Sequence, residues 1–437
     1  MKSYIVAGMG FGDEGKGSIV DFLADKYNIK NTVRYNGGNQ AAHHVVRNGI
    51  LHCFSQWGSS TLLPDTKTII SNYTLIEPFA LENEANTLKS KGISDVYERV
   101  VIDDRCLVVT PMHKLINQMK EITSRNSSCG CGVGETVSDS NRFSKYALRS
   151  GDIMDVNTSS KKLDFIWRVK VDQAEQIVED NPENASIKER YDIIKHLDTI
   201  KLAEEYLEIA NNLSIGSVDK FLSEPSIYEG AQGVLLDVNH GFHPHVTKTT
   251  TTFENAETLC KTPYEKVGVI RPYITRHGNG ILPTEDKMLE KAIPDIHNTY
   301  NEWQGKFRIG WQDLILMKYA VNLAKPDYIA MTNIDKIAGM NKIKIGISYE
   351  YYGNANVDRY FECKRNGHTC ILQTLKKESV SGQCQELNSI FNESTPVYKT
   401  FDNYKDYFTF LESDEGINTP INILSFGIEA ADKYLIN

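Results

Sequence analysis

Two hydrophobic periods alternate along the chain. An apolar run at residues 4–6 enters a glycine-rich turn, and residues 18–26 then repeat apolar positions at helical spacing. Residues 32–35 and 328–331 read as further strands, and 421–425 as a late strand ending at Phe426-Gly427. Helical spacing over 312–323 leads into the strand at 328. Residues 181–214 are charged and periodic, which predicts helix, whereas the polar SRNSSCGCGVGETVSD at 124–139 reads as a loop. No internal repeat and no long Pro/Ser/Gly linker interrupts this order. Strands alternating with helices predict an α/β fold with a mostly parallel central sheet flanked by helices. Ligands of such sheets bind at the carboxyl ends of strands, where the informative residues cluster. Residues 353–388 mix Cys, Lys and polar side chains without readable chemistry.

Composition narrows the classes. The 437 residues allow two or three domains or one large α/β domain. With 48 Lys plus Arg against 57 Asp plus Glu, the net charge is −9. That balance argues against a nucleic-acid or anionic-membrane surface, which needs clustered cations. It leaves room for a small anionic ligand in one local pocket. No apolar run approaches 18 residues, and the first apolar stretch is too short for a signal-peptide core. The eight cysteines follow no framework spacing, so reduced thiols and a cytoplasmic location are expected.

The first motif, GMGFGDEGKGSIVD at 8–21, places five glycines in ten residues between a strand and a helix. Backbone can approach a ligand closely there, and the helix N-terminus offers free N–H groups to phosphate. Gly10, Gly12 and Gly15 match the dinucleotide fingerprint GxGxxG, but the acid expected about 20 residues on is replaced by RYNGGN. Gly10, Gly15 and Lys16 nearly match a Walker A loop, but Gly17 stands where Ser or Thr must hold magnesium. A plain turn is the bland alternative. The remaining reading makes Asp13 a base and metal ligand, with Lys16 on phosphate.

NGGNQAAHHV at 36–45 follows the second strand and suits a turn that presents an imidazole to a ligand. In EGAQGVLLDVNHGFHPHVTKTTTT at 229–252, five of the seven residues from Val246 to Thr252 are Thr, which suits hydrogen bonding to phosphate and sugar. His240, His243 and His245 make a weak metal set, since no carboxylate or Cys completes it, and Cys129-Gly-Cys131 is equally weak. TNIDK at 332–336 sits at a strand end. An Asn-x-Asp there can read guanine, because a carboxylate accepts from both N1–H and the 2-amino group. Ser425-Phe-Gly427 can close over the same base.

Together these segments closely resemble the adenylosuccinate synthetase family of GTP-dependent ligases. GFGDEGKG, GGNQAAHH, DDRCLVVTPMH (103–113), ALRSGD (147–152), EGAQGVLLDVNHG, TRHGNGILPTE (275–285), GWQDL (310–314) and TNID occur in the family's order. The likeness implies one adenylosuccinate synthetase-like domain over 1–437. It implies that IMP and L-aspartate are joined to adenylosuccinate as GTP is split to GDP and phosphate, through a 6-phosphoryl purine. By resemblance, Asp13, His43 and Lys16 are catalytic, and magnesium sits on Asp13 and the Ala42 carbonyl. GTP is held by Gly12, Glu14, Gly15, Lys16, Gly17, Asn333, Asp335, Ser425 and Gly427. The purine monophosphate is held by Gln40, Cys129, Gln232 and Thr247, and by Lys145 reaching across a homodimer, with Arg149 as the other candidate for that cation. No nucleic acid and no membrane enter this picture.

Several positions depart from the family's pattern. Gln40 stands for the usual Asn, Ala42 for Gly and Cys129 for Thr, and Cys129-Gly-Cys131-Gly replaces Thr-Gly-Arg-Gly. Lys145 aligns near the family's trans-acting arginine; it keeps the charge and loses the bidentate fork. The amino-acid loop QGKFRIGW at 304–311 is several residues shorter than usual, leaving Lys306 and Arg308 to grip the carboxylate. Some phage homologues act on dGMP instead of IMP and make the precursor of 2-aminoadenine. Their most specialised members replace the catalytic acid, which is retained here as Asp13. IMP is the expected nucleotide, dGMP its alternative, and a GTP-binding member without turnover the alternative from another class.

Overall fold

The computed structural model describes residues 2–124, 128–295, 298, 300–367, 369–380 and 385–436. Among these, ten strands form the central sheet, in the spatial order Lys433–Leu435, Ile421–Ser425, Tyr328–Met331, Tyr264–Ile270, Ser3–Gly8, Ser226–Gly233, Asn31–Arg34, Lys67–Ile70, Val100–Asp103, Ser214–Gly216. Every neighbouring pair is parallel except the edge pair Ile421–Ser425 with Lys433–Leu435. The inner strands Ser3–Gly8 and Tyr328–Met331 are buried throughout and read as near-continuous apolar runs, whereas the similarly buried Asn31–Arg34 and Ser226–Gly233 carry polar residues, Arg34 and Glu229 among them. Because they are parallel, their carboxyl ends share one edge. The turns 9–15, 35–42, 332–335 and 426–427 therefore converge there.

A second sheet of six strands lies beyond that edge: Tyr273–His277, Phe307–Asp313, Ile343–Tyr351, Thr369–Leu375, Phe361–Asn366 and, paired to Ile343–Tyr351, Thr395–Phe401. It is antiparallel apart from the Phe307–Asp313 and Ile343–Tyr351 pair. The strand Tyr264–Ile270 passes from the first sheet into the second through Arg271 and Pro272, which brings Tyr273–His277 over the glycine-rich loop.

Three local expectations are corrected. Helix Val133–Arg142 occupies much of the supposed loop at 124–139. Val133 packs with Leu75 and Val109, and Glu135 pairs with Lys120 and Lys170, so tertiary contacts compensate for poor helix formers. Gln312 and Asp313 end a strand, and the helix starts at Leu314, where the Asp313 carboxylate accepts from the N–H groups of Ile315 and Leu316 at 3.1 Å. The stretch 181–214 splits into helices Ala185–Lys195 and Thr199–Ala210, the second capped by Asp198, and Ser214 opens a strand. The region 353–388 holds the hairpin Phe361–Asn366 with Thr369–Leu375.

Candidate active site

The loop after the first strand is built around one buried carboxylate. Glu14 accepts from the N–H of Gly10 at 3.1 Å and of Gly12 at 2.8 Å, and its second oxygen lies 3.0 Å from Lys16 Nζ. A Cβ on Gly8, Gly10 or Gly233 would run into that carboxylate, which explains three of the glycines at once. Glu14 thus faces inward and fixes Lys16, the first residue of helix Lys16–Lys26. Asp13 is left pointing away from the loop, at a left-handed φ of 62°. From the neighbouring strand end, Thr332 fastens the loop by donating its hydroxyl to the Glu14 carbonyl at 2.5 Å.

Gly17 resolves the near-match to Walker A. A Cβ there would stand 2.7 Å from His43 Cβ and 2.8 Å from Ser59 Oγ. A Ser or Thr at this position would force His43 and Ser59 to shift, because the helix start is covered by His43. The imidazole is held from behind: its Nδ1 lies 2.5 Å from Glu229 Oε1. Glu229 also accepts from the Ser59 N–H at 2.9 Å and from the Ser59 hydroxyl. Strand register sets Glu229 between Val6 and Arg34, inside the central sheet.

Charge in this cluster follows from burial and contacts. Burial opposes ionisation of Glu229, but His43, Arg34 and Ser59 outweigh it and hold the carboxyl at about 2. Burial drives the His43 imidazole below its ordinary value, with Arg34 and Lys16 acting the same way against Glu229. A neutral ring carrying its proton on Nδ1 satisfies both groups. Burial would also raise Asp13, yet the His277 contact, Arg271 and Lys16 together keep its carboxyl below the usual range. Lys16 thus acts on Asp13 and His43 alike.

The turn at 36–42 meets the 229–233 segment. Gly37 packs against Ala231 and Gln232, and Gly38 against Gln40 and Leu75. Gln232 has a left-handed φ of 57°, and its Oε1, like Gln40 Oε1, is buried with no hydrogen-bond partner among the described residues. Two orphaned amide oxygens in one crevice are costly unless a ligand meets them. Leu75 also packs on Val133, and Gly134 abuts Lys248 beside Thr247. Among the described residues no side chain caps helix Val133–Arg142 at Gly132, so its N-terminal N–H groups can face an anion. Cys129 lies just before it, half-buried. Ala42 is exposed at the start of the hairpin His43–Arg47 with Ile50–Phe54.

On the other side of the loop, Asn333 takes a left-handed φ of 53° and donates to Thr332 Oγ1 at 3.2 Å, while Asp335 is exposed beside Lys336. The pairing of Met331 with Leu424 sets Ser425 next to Thr332, and Ser425 donates to the Gly427 carbonyl at 3.1 Å. Lys145 is exposed with Nζ over its own Tyr146 ring, and Arg149 is tied to the Arg105 carbonyl at 2.6 Å. Lys306 is exposed; Arg308 pairs with Glu285 at 2.9 Å and donates to the Gly280 carbonyl.

Sequence reasoning missed His277, Arg271 and Arg276. His277 Nε2 lies 3.3 Å from Asp13 Oδ2. Arg271 is buried beside Asp295 and Tyr273. Arg276 sits over the Phe11 ring, and burial, reinforced by Arg308, pushes its guanidinium down to about 9. Arg276 and His277 lay inside the quoted TRHGNGILPTE, but spacing along a strand cannot say which loop it will face.

The adenylosuccinate synthetase family model matches residues 5–434. An adenylosuccinate synthetase of Shewanella piezotolerans is 32% identical over 460 aligned positions, covering 100% of this chain and 98% of its own. The fold is similar to that of the fully ligated adenylosuccinate synthetase of Plasmodium falciparum, with TM-score 0.78, 19% identity and full coverage of both chains. It is also similar to the succinoaminodeoxyadenylate synthetase of cyanophage S-2L, solved with dGMP and with dATP as energy donor. That likeness has TM-score 0.60 and 14% identity, covering 99% of this chain and 95% of the other.

Proposed function

Because the chain belongs to the adenylosuccinate synthetase family of GTP-dependent ligases, we propose that it joins IMP and L-aspartate to form adenylosuccinate, releasing GDP and phosphate. One observation carries the reading: an ionised Asp13, the Lys16 ammonium and the Glu229-held His43 converge at the carboxyl edge of the central strand. Asp13 takes the N1 proton of the purine, so that O6 attacks the γ-phosphoryl group of GTP. Lys16 neutralises phosphoryl oxygens. His43, neutral in the free site with its proton on Nδ1, donates from Nε2 only as imidazolium. An arriving phosphoryl charge in front and Glu229 behind both favour that form. The aspartate amine then attacks C6 of the 6-phosphoryl purine, and phosphate leaves.

Gly12, Gly15 and Gly17 line the GTP phosphates, and Glu14 acts by holding Lys16 in place. Asp335 reads guanine, with Asn333, Ser425 and Gly427 around the base. Gln232 and Gln40 direct their orphaned oxygens at the monophosphate nucleotide, and Cys129, Thr247 and the uncapped helix start hold its phosphate. Lys306 and Arg308 take the amino-acid carboxylate, with Arg308 exchanging its Glu285 partner for it. The donor set also fits magnesium, which prefers hard oxygens. Asp13 stays ionised despite burial, and Ala42 supplies a carbonyl at an exposed turn. Bound there, the ion offsets phosphoryl charge.

The working unit is a homodimer of one-domain chains in the cytoplasm, in which Lys145 reaches the partner's nucleotide. Among the described residues, no helix is long and apolar enough to cross a membrane. The decisive experiment is a product assay with IMP, GMP and dGMP in parallel, each with aspartate, GTP and magnesium. Adenylosuccinate from IMP is expected. Product from dGMP alone would transfer the same chemistry to the deoxynucleotide. GTP binding without product from any nucleotide would refute the ligase.

A further inference from the structure

We propose that His277 is a positioning residue that holds the Asp13 carboxylate in its working orientation from the second sheet. The inference rests on the proposed role of Asp13 and adds a residue to it. Asp13 occupies a left-handed conformation, which among residues with a side chain Asp and Asn adopt most readily. The inward turn of Glu14 leaves the Asp13 side chain outside the loop's own hydrogen-bond network. Its one ion-pair contact among the described residues is His277 Nε2, at 3.3 Å.

His277 is itself well fixed. It ends strand Tyr273–His277, opposite Phe307 in the antiparallel register. Its ring packs on the Phe307 ring with centroids 4.8 Å apart, and the next residue, Gly278, donates to the Lys306 carbonyl at 2.8 Å. The same strand pair carries Arg308, opposite Arg276, so His277 and the basic residues of the second sheet are set by one antiparallel register. An imidazole N–H directed at one carboxylate oxygen leaves the other oxygen for the ligand and limits rotation about the Asp13 side-chain torsions. Preorganisation of this kind acts on the turnover step more than on nucleotide binding.

Two variants separate the role from plain packing. His277→Leu keeps the volume against Phe307 and removes the donor. His277→Gln keeps an N–H near the Nε2 position. His277→Leu is expected to lower kcat about ten- to a hundredfold, the size of losing one hydrogen bond to a charged group. KM for GTP and for the monophosphate should stay within about threefold. His277→Gln should recover most of the lost kcat. A crystal structure of His277→Leu should show the Asp13 carboxylate rotated, a readout independent of turnover. An unchanged or raised kcat in His277→Leu, failure of Gln to do better than Leu, or an unmoved Asp13 overturns the proposal. Absence of turnover in the wild-type protein with every nucleotide instead overturns the ligase reading, and the role of His277 with it.

Discussion

Gly17→Ala tests the packing that separates this loop from a Walker A motif. The backbone at Gly17 is not left-handed, so alanine is conformationally allowed there. What it meets is His43 Cβ at 2.7 Å and Ser59 Oγ at 2.8 Å. Overpacking of this kind costs about 1–3 kcal/mol, and the better helix propensity of alanine returns up to about 1 kcal/mol. At about 2 cal/mol/K of unfolding entropy per residue, a chain of this size then loses no more than about 2–3 °C of Tm. Activity should suffer far more. Relieving the contact moves the imidazole against Glu229, and a displacement near 1 Å costs on the order of a hundredfold in rate. The assay is kcat with saturating GTP, IMP and aspartate, beside thermal unfolding, in four proteins: wild type, Gly17→Ala, His43→Ala and the double variant. His43→Ala keeps the Cβ, so the stability loss from Gly17→Ala should persist in that background. The kcat loss should not, because the imidazole is already gone. Gly17→Ser should behave like Gly17→Ala, its hydroxyl bringing no gain. A Gly17→Ala protein with more than half of wild-type kcat, or an equal kcat loss in both backgrounds, would refute the reasoning.

Other expectations follow from the same site. Asp335→Asn should raise KM for GTP by roughly ten- to a hundredfold, the effect of two guanine donors losing a charged acceptor. ITP, lacking the 2-amino group, should be affected less; steady-state kinetics with both nucleotides check this, and equal wild-type use of ATP and GTP would contradict it. Glu229 is held down at about 2 in the fold against an ordinary 4.5, so its stabilisation is present above pH 4.5 and is lost as pH falls from 4.5 toward 2. Glu229→Gln should remove about 3 kcal/mol of that dependence and flatten the acid limb of a urea-unfolding series, and an unchanged acid limb would count against the buried carboxylate. Mixing Lys145→Ala with Asp13→Asn subunits should restore activity absent from Asp13→Asn alone, since one site of the hybrid keeps both groups. No recovery despite proven subunit exchange would rule out Lys145 as the shared cation.

The sequence alone determined which residue types are present and at which strand ends they sit. Glycine-rich turns after short apolar runs are local features, so GMGFGDEGKG, NGGNQAAHH and TNID could be placed before any tertiary contact was known. The parallel sheet follows from strands alternating with helices, and parallel strands bring those turns to one edge. Tertiary structure decided what each side chain there meets. Glu14 reads as a partner for ligand until the fold turns it inward onto Gly10, Gly12 and Lys16. Glu229 stands 186 residues from His43, and His277 reaches Asp13 from another sheet. Neither distance along the chain nor alternation along a strand encodes such a meeting. Helix Val133–Arg142 was likewise hidden, because burial of Val133 on Leu75 and Val109, and not local propensity, holds it. Residue type and local period are properties of neighbours in sequence. The orientation of the Asp13 carboxylate is set where the two sheets meet, and the protonation of the buried His43 imidazole and the need for Gly at position 17 are set by groups that become neighbours only in the folded chain.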